Sequence, residues 1–283
     1  MKKILVPCDF SEPAIHAYAQ AQALAEKSYA TIHFLHVIEP PVMNDTLLMP
    51  TLSFEAELMK ELETNAIQKF KEFTKKSKEH GTAVTYEIKY GAVPVVISQC
   101  IQDQSIDLVV MGSHGASGMK EYLIGSNAER IVRQSPVPVM IVKQAGSKPV
   151  KNIVFPNELN LEHQEDLTAK VKELQKFFDA TLHIVWVNTP ANFVADTVTR
   201  KRLDDFAKRY MFRNFTLNIF NHTSKQEGIL EFAKLVSGDL IAIGTHGRTG
   251  IAHLLNTSIA EDVVNHSDGL VWTYTLKNEP THA

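Results

Sequence analysis

Short apolar runs alternate with longer helical patterns along the first half of the chain. The runs are ILVP from Ile4, TIHFLHVI from Thr31, AVTYEIKY from Ala83, DLVVMG from Asp107 and VPVMIVK from Val137. Each is short, rich in β-branched residues and bounded by Gly, Pro or Asp, which reads as a strand. Between them, Ser11 precedes EPAIHAYAQAQALAEK with Pro13 in its first turn, the pattern of a helix start. A second helix is predicted over FEAELMKELETNAIQKFKEFTKKSKEH, stopping at Gly81, and shorter ones over PVVISQCIQ and SNAERIVRQ. Strands separated by helices imply a parallel sheet covered on both faces, and right-handed crossovers then favour a doubly wound α/β domain.

The second half repeats this pattern in the same order. TIHFLHVIEP from Thr31 returns as TLHIVWVNTP from Thr181, and DLVVMGSHGASG from Asp107 as DLIAIGTHGRTG from Asp239. KKILVPCDF returns more faintly as KNIVFPNEL, and SNAERIV as SIAEDVV. The chain therefore reads as a tandem duplication. The predicted fold class is α/β, made of two tandem doubly wound (Rossmann-like) domains. Each is a five-stranded parallel sheet of order 3-2-1-4-5 flanked by helices. The expected domains are residues 1–146 and 147–283, joined near AGSKPVK.

Composition narrows the function classes. Of 283 residues, 44% are apolar and 22% charged, as in ordinary globular proteins. The net charge of −3 is spread evenly, with 14 basic and 16 acidic residues up to Ser147 and 15 and 16 after it. No nucleic-acid partner is expected from that balance. The N-terminal apolar run meets Pro7 and Asp9 too soon for a signal peptide, and no stretch reaches the length of a membrane span. Cys8 and Cys100 are the only cysteines, which leaves no disulfide framework or cysteine-rich metal site. A cytoplasmic location without membrane contact is the expectation.

The stretch MGSHGASGMKEYLIGS, from Met111 to Ser126, concentrates four glycines after the fourth strand. Ligands of open parallel sheets bind beyond the carboxyl ends of the strands where strand order reverses, so Asp9 and Gly112 are expected to face one crevice. Ser126 with Glu129 reads as a capping box opening a helix, whose N-terminus suits phosphate. Gly112, Gly115 and Gly118 would let backbone wrap an anion, with Gly125 at the helix start. A plain strand-to-helix connection is the competing reading, as are helix caps for Asp9 and Ser126. No P-loop and no G-x-G-x-x-G are present.

The spacing G-x2-G-x9-G-S, at Gly112, Gly115, Gly125 and Ser126, together with ILVPCDFS, LHVIEP and SPVPVMIVK, resembles the universal stress protein family. The resemblance covers both halves. It implies an adenine nucleotide, ATP with or without Mg2+, as ligand. In the ATP-binding branch, Asp9 and the backbone of Val37 would take adenosine, with Pro7 and Cys8 shaping the wall. Gly112, Gly115, Gly125, Ser126 and Asn127 would take ribose and phosphates, with Met111 and His114 beside them. The second half has Glu158 for Asp9 and Thr257 for Gly125, with Gly244, Gly247 and Ser258 kept. A β-branched residue at 257 would crowd a phosphate or resist an unusual φ, so this motif is expected to be degenerate. Ser258 with Glu261 is expected to keep the capping box.

The resemblance further implies pairing of the last strands of the two halves, VPVMIVK and LVWTYTLK, as an internal pseudo-dimer. It leaves a homodimer open, and the protein partner unidentified. No catalytic residue and no metal ligand is assigned: His114 and its copy His246 read as turn histidines. His33 and His36, three apart on a strand, point to opposite faces and read as packing or surface residues. Cys8 invites a redox reading without basic neighbours to support it. EPPVMNDTLLMPTLS, from Glu39, reads as a lid, a partner surface or a plain connection. The cluster from Arg200 to Arg213 reads as a solvated helix face. Three functional readings follow. The first is an ATP-binding stress-response or signalling protein with slow or no hydrolysis. The others are a nucleotide-free interaction scaffold and a nucleotide hydrolase or nucleotidyl transferase.

Overall fold

The computed structural model describes residues 1–40, 50–79, 81–113, 124–144, 146, 149–246 and 253–276. The first half runs β1 (Lys3–Pro7), α1 (Glu12–Ser28), β2 (Thr31–Ile38), α2 (Pro50–Glu79), β3 (Val84–Tyr90), α3 (Val93–Asp103), β4 (Leu108–Gly112), α4 (Ser126–Gln134) and β5 (Val139–Val142). The second half repeats the series as β6 (Asn152–Pro156), α5 (Glu165–Phe178), β7 (Thr181–Asn188), α6 (Asp196–Arg209), β8 (Phe215–Asn221), α7 (Lys225–Leu235), β9 (Leu240–His246), α8 (His253–His266) and β10 (Leu270–Leu276).

All strands join one sheet in the order β3-β2-β1-β4-β5-β10-β9-β6-β7-β8. Each half has the 3-2-1-4-5 order expected for a doubly wound domain, and every pairing within a half is parallel. The halves meet where β5 and β10 pair antiparallel, Met140 opposite Trp272. The strand alternation that puts Ile4 and Val6 on one face and Leu5 on the other continues through the whole sheet. One apolar cluster joins Ile4 and Val6 to α1, α2, α5 and α6; the other joins Leu5 to α3, α4, α7 and α8. Both clusters cross the β5–β10 seam, so the halves share their two core layers.

Local sequence explains the turns that frame the site. Ser11 caps α1, its side chain accepting from the Ala14 N–H, with Pro13 in the first turn where a missing donor costs nothing. Phe10 has φ +64 and its copy Leu159 φ +58, so the chain turns out of β1 and β6 through the same left-handed residue. The helix expected to end at Gly81 does so, with Gly81 at φ +70.

Two capping expectations are corrected. Gly125, not Ser126, is the N-cap of α4, with no side-chain cap bond, so Ser126 occupies the first helical position and Glu129 lies one residue too late for a capping box. α8 begins at His253, which puts Ser258 inside the helix rather than at its start. Of the segment from Glu39 to Ser53, residues 41–49 lie outside the described residues, and α2 begins at Pro50. The basic cluster sits largely on α6, where Arg200 pairs with Asp196 and Arg209 with Glu165, a solvated face of exposed ion pairs.

Candidate functional site

A crevice opens at the carboxyl ends of β1 and β4, where strand order reverses. Pro7 ends β1, and Cys8 and Asp9 follow it; Leu35, His36 and Val37 come from β2; Val93 and Ile97 from the first turns of α3. Met111, Gly112, Gly125, Asn127 and Ala128 close the other wall. The enclosed part of the crevice is about 120 Å³, below the roughly 300–1,000 Å³ usual for small-molecule sites, and it widens into an open mouth. Of the sequence-predicted residues, Pro7, Cys8, Asp9, Val37, Met111, Gly112, Gly125 and Asn127 are brought together here. Ser126 is exposed beside them on the first turn of α4, and His114, Gly115 and Gly118 lie outside the described residues.

The crevice wall has a polar strip and an apolar floor. Cys8 N–H donates to the Leu35 carbonyl at 2.9 Å. Leu35 therefore turns its backbone polar groups toward β1, and by the alternation of a parallel ladder Val37 does the same two residues on. The last β1 register pair is Pro7 with Leu35. The Val37 amide and carbonyl consequently face the crevice one step beyond the end of β1, as a donor and an acceptor side by side. His36 Nδ1 donates to the Cys8 carbonyl at 2.7 Å, and its ring packs 4.9 Å from Phe10. Asp9 Oδ1 accepts from the Ser11 N–H at 3.0 Å and from the Ser11 hydroxyl at 2.5 Å. Asp9 therefore supports the cap of α1 while its exposed carboxylate borders the crevice. Cys8 is buried, and burial pushes its thiol up to about 12, which removes the thiolate a redox sensor needs.

The glycines act differently from expectation. A Cβ on Gly112 would lie 2.6 Å from Pro13 Cβ and 2.8 Å from its backbone carbon, so the bare residue lets the first turn of α1 close onto the end of β4. Gly125 has φ −62 and ψ 145, an extended conformation open to any residue, which overturns the expectation of an unusual φ. Its N–H donates to the Ser113 carbonyl at 2.8 Å, and the preceding Ile124 N–H donates to Asn265 Oδ1 of α8 at 2.6 Å. Sequence reasoning missed Leu35, His36, Val93, Ile97 and Ala128 as crevice lining. The even apolar spacing of GAVPVVISQC gave no hint that the start of α3 forms the floor.

The second half differs at the same place. Glu158, the copy of Asp9, accepts from Lys225 Nζ at 2.9 Å. Lys225 opens α7 as Val93 opens α3, so an ion pair spans the position where the first half has its crevice floor. Gly247 and Gly250 lie outside the described residues, and Gly244 is pressed against Leu167 of α5, 2.7 Å from where its Cβ would stand.

An open sheet of this order, with a lined crevice at its switch point, defines a doubly wound α/β protein. The sequence matches the universal stress protein family over residues 1–143 and 220–274. A universal stress protein of Methanocaldococcus jannaschii is 31% identical over 157 residues, 52% of this chain and 97% of that protein. The universal stress protein YxiE of Bacillus subtilis is 27% identical over 50% of this chain and 98% of its own length. A solved universal stress protein of Archaeoglobus fulgidus superposes over 97% of this chain and 98% of that one, with TM-score 0.76 and 20% identity. The chain belongs to the universal stress protein family. Among the described residues, no helix is long and apolar enough to cross a membrane.

Proposed function

We propose that the N-terminal half binds an adenine nucleotide, ATP with or without Mg2+, in the crevice between β1, β2 and α4. In this reading the protein is a cytoplasmic stress-response or signalling component whose conformation or partner choice the nucleotide tunes. The observation that carries the reading is the Val37 backbone at the end of β1. Its adjacent donor and acceptor match the N1 acceptor and N6 amino donor of adenine, above a floor of Leu35, Val93 and Ile97. Opposite it, the start of α4 offers backbone N–H groups and a partial positive charge to phosphates. Ribose would fall between, against Asp9 and Gly112. Asp9, the carboxylate at the crevice edge, is engaged by the Ser11 N–H and hydroxyl, and His36 by the Cys8 carbonyl. Hydrolysis is therefore slow or absent.

The test is to identify nucleotide retained through purification by mass spectrometry and to titrate ATP by calorimetry. Saturable binding with one ATP per chain is expected; no binding at millimolar ATP overturns the reading. The ion pair of Glu158 with Lys225 favours a second reading for the C-terminal half, an interaction scaffold whose pocket is closed to nucleotide. Two ATP per chain would refute that part. Multiple-turnover phosphate release abolished by Asp9→Ala would replace both with an enzyme.

A further inference from the structure

On the face of the sheet covered by α3, three side chains from three elements converge. They are His33 of β2, Glu87 of β3 and Cys100 of α3, whose ligating atoms all lie within 4.8 Å of one another. None of the three lines the crevice. His33 is 5% exposed and Cys100 fully buried. His33 Nε2 and Glu87 Oε2 stand 3.6 Å apart as a buried ion-pair contact, longer than a good hydrogen bond, and neither has a partner at hydrogen-bond distance. Such a contact leaves two buried polar atoms only loosely satisfied, which calls for an explanation.

The duplication supplies an internal control. In the second half His183 makes the same contact as His33: its Nδ1 lies 2.9 Å from Thr216 Oγ1, as His33 Nδ1 lies 2.8 Å from Thr85 Oγ1. There, however, the other ring nitrogen is met by Asn152 Oδ1 at 3.2 Å. Asn218, in the position of Glu87, turns its amide to Thr216 Oγ1 and the Ile184 carbonyl. Phe232 occupies the position of Cys100. The scaffold thus holds its histidine with ordinary packing in one half. In the other it exchanges all three neighbours: Lys3 for Asn152, Glu87 for Asn218 and Cys100 for Phe232. The Lys3 ammonium donates to Gln104 at 3.1 Å, and its charge is still felt at His33 and Cys100. Nitrogen, oxygen and sulfur donors replace a closed set.

We propose that His33, Glu87 and Cys100 form a site for a borderline divalent cation of the zinc type. Zinc takes imidazole nitrogen at about 2.0–2.1 Å, carboxylate oxygen at about 2.0–2.2 Å and thiolate sulfur at about 2.3 Å in tetrahedral array. His33 Nε2 and Glu87 Oε2 already stand at the separation such an array requires. Thr85 Oγ1 would accept from Nδ1–H and fix the tautomer that leaves Nε2 as the ligand, the usual supporting contact of a metal-bound histidine. Lys89, 3.4 Å from the other Glu87 oxygen, holds the carboxylate in place. One dication with one carboxylate and one thiolate is a neutral set, which suits a buried position. The Cys100 thiol gives its proton to solvent as the sulfur–metal bond forms. Glu87 is half-buried on β3, the edge strand, which gives the ion a path in. Three protein ligands leave the fourth position to water or to another ligand.

The full chain, stripped of metal by chelation and dialysis, is titrated with Co2+ and then with Zn2+. The expected result is one Co2+ per chain with a thiolate-to-cobalt charge-transfer band in the near ultraviolet, bleached by one equivalent of Zn2+. Cys100→Ser should abolish the band, and Thr85→Ala should weaken Zn2+ binding by roughly 10–100-fold. Circular dichroism shows that each variant is folded; should Cys100→Ser fail to fold, Glu87→Gln is read in its place, with Zn2+ affinity expected to fall by at least as much as in Thr85→Ala. Absence of the band in the unmodified protein, or Zn2+ binding indifferent to Cys100→Ser and Glu87→Gln, overturns the proposal. ATP titration is run in parallel, so loss of either site is seen independently of the other.

Discussion

Gly125 and Gly112 show how one residue type meets two demands within a single motif. Gly112 lacks a side chain because Pro13 occupies the space, and Gly125 sits in a conformation that a valine could share. Gly125→Val therefore tests crowding of the phosphate position without straining the backbone. ATP affinity should fall at least tenfold by calorimetry while the thermal midpoint stays within a few degrees, a shift worth no more than about 1 kcal/mol. Gly112→Ala should do the reverse, because the rigid proline cannot yield and α1 must move. A loss of about 1–3 kcal/mol is expected from urea unfolding, as for other overpacked sites. The two cysteines give a third outcome at this scale. Burial holds both thiols well above the ordinary thiol range, so a thiol reagent at pH 8 should label neither Cys8 nor Cys100 until denaturant is added. Rapid labelling of Cys8 in the native protein would return it to the redox candidates.

The helices and strands were legible because each follows a local pattern. Runs such as TIHFLHVI are short and nearly continuously apolar, as buried strands of a parallel sheet require, and Pro13 and Gly81 mark where helices start or stop. The strand order 3-2-1-4-5 is the expectation for a doubly wound domain rather than something any residue spells out, and the sheet has it. What the local patterns do not encode is contact across the sheet. His33 carried no metal signal, because its partners Glu87 and Cys100 lie 54 and 67 positions away in the chain. Helix caps misled for a related reason: Ser126 with Glu129 has the right residues, but the Ser113 carbonyl and Asn265 draw the chain in so that Gly125 takes the cap. Where a cap was assigned from a serine with a free choice of backbone, at Ser11, it was met. Ser11→Ala should cost about 0.5–2 kcal/mol in unfolding experiments. It should also weaken ATP binding, since it removes the hydroxyl that donates to the Asp9 carboxylate and leaves only the backbone N–H to hold it at the crevice edge.

At the scale of the whole molecule, the second half reaches into the first. Arg133 of α4 bonds both Glu129 and Glu261, Lys143 reaches the Asn265 carbonyl, and the Asn265 side chain receives the Ile124 N–H just before the crevice wall. In the pseudo-twofold arrangement Asn265 occupies the position of Arg133, so this contact has no mirror image and serves the first half alone. Asn265→Ala should therefore lower ATP affinity several-fold although it lies in the other half of the chain. Unchanged affinity by calorimetry would reduce the seam to a structural joint. The seam itself, the antiparallel pairing of β5 with β10, has a kinetic meaning. Two separate chains meeting along such strands would part on dilution, and their response to ligand would vary with how much protein the cell holds. Here the two sides are tethered and meet in a first-order event. A signal read from this pairing would be set by ligand level alone, the same in a scarce protein as in an abundant one.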